Sequence, residues 1–216
     1  MSDFRLPRTV LLTVLATVLI PTLATAGDNA PRQHDRGFFL RMSGGPGAGN
    51  IHSHTRGNDG PFDDGTKVSL EGSGGDGNFA IGAIVRPNLA VHATFWGWSA
   101  FDPDLKVGGA TAETNDLTVS MNAFGPGVTW YFGQNFYLSG SIGGAEMTAE
   151  ADGEDFDSKT GVAVDLTIGK EWWVGRRWGL GVAAGFGALS IPTDDPTLDD
   201  KFSGNSFGLR FSATFN

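Results

Sequence analysis

The sequence predicts an all-β chain, an eight-stranded antiparallel up-and-down transmembrane β-barrel, and three observations carry that prediction. Apolar residues recur with a period of two, the connections between these segments are alternately long and short, and past the N-terminal segment no stretch holds a helical period. The period is plainest at 206–216. Phe207, Leu209, Phe211, Ala213 and Phe215 share one parity, and Ser206, Gly208, Arg210, Ser212, Thr214 and Asn216 the other. A membrane barrel turns its bulky side chains to lipid and keeps small polar ones for the lumen. A soluble barrel with this pattern would bury the large residues and present Gly, Ala, Ser and Thr to water with almost no Lys or Glu, which is poor for solubility.

Taken in order, the first strand spans 37–43, with Phe38, Leu40 and Met42 on one face and Arg41 on the other. A long loop rich in Gly, Asn, Asp and His follows to Lys67. The second strand, 68–85, is interrupted by Gly72-Ser73-Gly74-Gly75-Asp76-Gly77, where the apolar parity passes from Val68 and Leu70 to Phe79, Ile81, Ala83 and Val85; a bulge, or a strand that begins only near Asn78, is expected there. Arg86-Pro87-Asn88 is a tight turn. The third strand sets Leu89, Val91, Ala93 and Phe95 against Ala90, His92, Thr94 and Trp96, and 101–116 is a long loop.

The fourth strand carries Leu117, Val119, Met121 and Ala123 on one face and then Val128, Trp130 and Phe132 on the other. A second bulge is expected at Gly125-Pro126-Gly127, because proline cannot donate to a central ladder. Gly133-Gln134-Asn135 turns into a fifth strand with Phe136, Leu138 and Ile142 outward, followed by an acidic loop at 149–159. The sixth strand alternates Val162, Val164, Leu166 and Ile168 with Ala163, Asp165, Thr167 and Glu171. Gly175-Arg176-Arg177 leads to a seventh, in which Trp178, Leu180, Val182, Ala184 and Phe186 face away from four glycines and Ala183. The last long loop is 191–202. Short turns on one rim, long loops on the other and strands of about ten residues are what a spanning barrel needs.

At the N-terminus, Arg5 and Arg8, an apolar run at 10–20, Pro21 and Ala24-Thr25-Ala26 form the charged, apolar and A-x-A regions of a secretory signal. The run is about half the ~20 residues of a spanning helix. The expected division is a signal peptide at 1–26, a polar lead at 27–36 and the barrel at 37–216. Cleavage would remove Asp3, Arg5 and Arg8, reducing 15 basic and 24 acidic residues to 13 and 23, a charge near −10. Nucleic acid is excluded as a partner by that balance. The chain has no cysteine, which rules out disulfides and a lipid-anchored N-terminus. Glycine, 33 of 216 residues, stands at about twice its usual share of roughly 7% and lies between apolar residues at strand spacing, as a tightly curled small barrel requires.

Phe38, Trp130, Phe132, Phe136, Trp172, Trp178 and Phe215 fall near the short turns on the bulky face, the placement of an interfacial aromatic girdle. With the signal, the strand pattern and a C-terminal strand ending in Phe215-Asn216, the chain resembles the small eight-stranded outer-membrane barrel proteins of Gram-negative bacteria. That class includes the OmpA transmembrane domain and OmpW-like and OmpX-like proteins, and the resemblance covers the whole mature chain. It implies residence in the outer membrane, contact with lipid and lipopolysaccharide, and recognition by the barrel-assembly machinery through the last strand. The family strand normally ends in its aromatic residue; here Asn216 follows it.

Arg41, His92, Glu171 and Arg210 lie on the lumen parity at similar depth, with Asp165 above them. Charges in so narrow an interior should pair, which predicts a salt-bridge plug; the alternative is a constriction in a pore. In the acidic loops, Asp152, Glu154, Asp155 and Asp157 form the densest cluster and a possible divalent-cation site, without the ligand order of an EF-hand. His52-Ser53-His54 offers two imidazoles but no fixed metal set. No cofactor is expected. Some relatives in the resembling class act on lipid A, yet His52, Ser53 and Asp63 have no catalytic spacing, so no enzyme is predicted. The expected role is structural or in surface interaction behind a largely plugged lumen. The alternatives are an OmpW-like narrow channel for small or apolar solutes and, behind that, a lipid A-modifying enzyme.

Overall fold

The computed structural model describes residues 34, 37–55, 65–114, 117–151, 154–192 and 201–216, with 154–157 as backbone only. The strands are β1 (Gly37–His54), β2 (Lys67–Arg86), β3 (Leu89–Phe101), β4 (Asp104–Val107), β5 (Ala110–Ala112), β6 (Leu117–Phe132), β7 (Phe136–Ala151), β8 (Glu154–Asp157), β9 (Gly161–Trp173), β10 (Trp178–Pro192) and β11 (Lys201–Phe215). Eight of them, β1, β2, β3, β6, β7, β9, β10 and β11, pair antiparallel in that order, and β11 returns to β1, so the sheet closes and keeps no edge. The short strands β4, β5 and β8 lie in the long connections; β4 continues along β2 and β8 along β7.

Residue by residue, the cross-strand register runs Met42, Phe79, Phe95, Phe124, Gly144, Val162, Ser190, Ser203 and back onto β1 at His52, ten residues above its start. A stagger of that size in eight strands tilts them within the usual barrel range. Three tight turns close one rim, with Asn88, Gln134 and Asn135 at positive φ (65°, 55° and 62°).

The wall is inverted relative to a soluble protein. Phe211 is 71% exposed and its neighbour Arg210 is 3% exposed. Phe38, Phe79, Ile81, Phe95, Phe124, Trp130, Leu166, Ile168, Phe186 and Leu209 also stand on the outer surface.

The two bulges expected from parity switches are absent. β2 pairs with β1 in one unbroken register from Lys67 to Ile84, and β6 pairs with β3 in one register from Thr118 to Trp130. The apolar residues change face because the interior changes character along the barrel. Toward the loops the lumen is a packed apolar core of Ile51, Trp96, Trp98, Val119, Met121, Leu189 and Ile191, with Leu70 and Leu117 against it. Below that core the lumen carries the buried charges and the apolar residues of these two strands face out, while a second buried cluster that includes Phe39, Ile84, Tyr131 and Tyr137 lies nearer the turns. Among the described ladders the irregularity recorded lies at Ile84–Arg86, beside the turn.

Pro126 is accommodated differently. Pairing between β6 and β7 stops after Phe124–Gly144 and resumes in the same register at Gly127–Ser141. A Cβ on Gly125 would collide with the Ile142 carbonyl oxygen, and one on Gly143 with that of Phe124, so the two glycines let the backbones approach across the gap. Gly45-Pro46 interrupts the β1–β11 seam in the same manner.

Half of the expected first loop at 44–67 is strand, since β1 runs to His54 and β2 starts at Lys67. The loop at 101–116 contains the β4–β5 hairpin, and the acidic loop contains β8. The proposed signal, most of the lead and the acidic residues Asp59, Asp63, Asp64, Asp116, Asp152, Asp194, Asp195, Asp199 and Asp200 lie outside the described residues, as do the side chains of Glu154, Asp155 and Asp157.

Candidate functional site

All five of the ionisable residues assigned to the lumen point inward and are buried: Arg41, His92, Asp165, Glu171 and Arg210. They form three separate groups instead of one network. In the group nearest the loops, the Arg210 guanidinium lies between two carboxylates. Its Nε and Nη2 donate to Asp76, Nη2 donates to Asp165 Oδ1 at 2.7 Å, and Nη1 donates to Thr167 Oγ1 at 2.7 Å. Asn78 and Thr167 donate further bonds to Asp165 Oδ2 at 3.3 and 3.0 Å. A buried ion pair offsets its desolvation only when remaining donors and acceptors are filled, and this one is filled on both sides.

Space for it comes from glycine. A Cβ on Gly185 would strike the Arg210 guanidinium, and one on Gly208 the Asp76 carboxylate. Asp76 is the residue sequence reasoning missed. It shares parity with Asn78, Ala80 and Gly82, and the signal was obscured by reading the surrounding glycines as a break in the strand.

The middle group links Arg41 to His92 through hydroxyls. Arg41 Nη2 donates to Ser139 Oγ at 2.8 Å, Thr129 Oγ1 donates to Ser139 at 2.9 Å, and Thr129 lies 2.9 Å from His92 Nε2. His92 Nδ1 lies 2.7 Å from Thr94 Oγ1, which accepts from Ser141 at 3.0 Å. The Arg41 guanidinium stands over the Tyr137 ring at 4.6 Å. Among the described residues no carboxylate forms an ion pair with Arg41, so the expected pairing of Glu171 with Arg41 or Arg210 is corrected. Glu171 belongs to the third group, where Oε1 accepts from Tyr131 OH at 3.3 Å and Thr214 Oγ1 at 2.7 Å.

The turn-side mouth holds a residue from the N-terminal lead. The His34 ring is stacked on Tyr131 at 3.5 Å between centroids and tilted against Trp173 at 5.2 Å. Its backbone N–H donates to Asn88 Oδ1 at 3.1 Å, its carbonyl accepts from Asn88 N–H at 2.9 Å, and its Nδ1 meets the Asn216 side-chain amide. Burial lowers the His34 imidazole to about 4, against a smaller opposing effect of the Asn216 contact. Asn216, the residue beyond the terminal aromatic, therefore has a partner of its own.

On the outer surface at the same end, Phe215 touches Phe38 and Trp178 at 6.2 and 5.2 Å, and Phe132 touches Trp130 and Phe136 at 5.1 and 6.2 Å. Lys170 Nζ stands 4.3 Å from the Phe136 ring and 5.7 Å from Trp172. Ser53 and His52 point to opposite faces of β1. Ser53 is buried and donates to the Lys201 carbonyl at 3.2 Å, so these two do not form a nucleophile and base.

No family model matches the sequence, and no curated protein matches it. Solved structures do. The outer membrane protein OprG from Pseudomonas aeruginosa superposes with a TM-score of 0.50 at 14% identity, over 84% of this chain and 98% of that one. The outer membrane protein AlkL, determined in DMPC bilayers, superposes with a TM-score of 0.50 at 16% identity, over 88% and 97%. The fold is that of the small outer-membrane barrels. Within a small outer-membrane barrel the lumen is the natural place to look for a site, and here buried side chains project into it at each level from the Trp96–Ile191 core to the His34 seat.

Proposed function

We propose that this chain is an exported outer-membrane barrel with a closed lumen, acting in envelope structure or surface contact and catalysing no reaction. The observation that carries the reading is the buried Arg210–Asp76–Asp165 cluster beneath a packed apolar core, two layers of buried side chains set one above the other in the lumen. Residues 1–26 serve as the export signal, and the turn-side aromatics with Lys170 stand at the inner interface. Lipid and lipopolysaccharide contact the outer wall, and the assembly machinery reads the β11 strand. The acidic loops, Asp152 to Asp157 among them, face outward and are open to divalent cations.

Single-channel recording of the refolded mature protein in a planar bilayer tests this. The expected result is a silent membrane from protein whose heat-modifiable gel mobility shows that it is folded. Steady openings would overturn the closed lumen and favour the narrow-channel reading, with the apolar loop-side interior as the part that must rearrange.

A further inference from the structure

The chain has four histidines. His34 and His92 are buried in the contacts described above, whereas His52 and His54 stand together at the loop end of β1, past the apolar band. Two residues apart in a strand, they share the outer face. Their ring centroids are 6.4 Å apart with planes at 85°. The backbone that spaces them is laddered rather than free, since His52 pairs with Ser69 on one side and Ser203 on the other and His54 pairs with Lys67. A metal bonded to an imidazole nitrogen at ~2.0–2.1 Å stands about 3 Å from the ring centre, so two rings sharing one ion have centres about 5–6 Å apart. A small swing of either ring closes the difference.

We propose that His52 and His54 form a two-imidazole, strand-mounted site for a divalent transition metal, with water completing the coordination. Imidazole suits copper, nickel and zinc, and Cu(II) heads the affinity order of the divalent first-row ions. Among the described residues no third ligand joins the pair. The Lys67 ammonium opposes a bound cation, so it sets the affinity and its removal tightens binding.

The test is a Cu(II) titration of the refolded, untagged mature barrel, read by electron paramagnetic resonance. One tight equivalent with hyperfine splitting from two imidazole nitrogens is expected. His52→Ala and His54→Ala should each reduce the splitting to one nitrogen and weaken binding by an order of magnitude. Lys67→Ala should tighten it several-fold, an effect that binding elsewhere, at the terminal amine for example, does not show. A wild-type spectrum with fewer than two imidazole nitrogens, or a double His52→Ala/His54→Ala variant that binds as tightly as wild type, overturns the site. The wild-type spectrum decides the matter if a variant fails to fold.

Discussion

At the scale of the residue, the interior is governed by what each buried charge is given. Arg210→Ala leaves Asp76 and Asp165 buried without a counter-charge, and a loss of about 3–5 kcal/mol in urea unfolding is expected. Adding Asp76→Asn and Asp165→Asn should recover much of it, and a triple variant as weak as the single one would deny the cluster its role. Glu171 hydrogen-bonds to Tyr131 and Thr214 and not to Arg210. In a double-mutant cycle the Glu171→Ala and Arg210→Ala losses should add within about 0.5 kcal/mol. His34 titrates at about 4 in the fold against 6.5 when exposed. Between those values the unfolded chain binds more protons, so the stability His34 contributes is complete above pH 6.5 and is lost as pH falls toward 4. The gap in melting midpoint between wild type and His34→Ala should narrow over that window, and a constant gap would remove the imidazole from the mouth.

At the scale of the element, the two prolines show how a ladder is broken without a change of register. Pro126 removes a donor from the β6–β7 seam, and Gly125 and Gly143 bring the strands close enough that no side chain fits between them. Gly143→Val should cost about 1–3 kcal/mol by forcing the strands apart, more than the same change at Gly133, where a Cβ meets nothing. Equal losses at both positions would show that the cost comes from glycine flexibility and not from the seam. The alternation of apolar residues in β2 and β6 was legible in the sequence, and so was its inversion. Its cause was not, because a parity switch looks the same whether the chain gains a residue or the lumen changes from polar to apolar.

At the scale of the whole molecule, the outer wall should behave as a lipid-facing surface. Leu166, half exposed at mid-wall, and Thr160, exposed at the loop end, both face outward on the β9 side. Leu166→Arg should destabilise the protein refolded in bilayers by about 2–4 kcal/mol, while Thr160→Arg should cost about 0–1. Similar costs at both would place the membrane elsewhere or nowhere on this wall.

By itself the sequence determined the eight strands of the ring, their up-and-down order, the inward parity of Arg41, His92, Asp165, Glu171 and Arg210, and the outward aromatics of the turn-side rim. These follow from a period of two and from turn chemistry, both local in the chain. Only the closed structure decided which charge meets which, because the partners of Arg210 stand 134 and 45 residues away and are brought to it by stagger around the ring. It also decided that Gly185 and Gly208 are the room Arg210 and Asp76 occupy, and that His34 sits in the mouth with Asn216. Such contacts depend on how far each strand is shifted against the next, and that shift is set by the closing of the whole barrel.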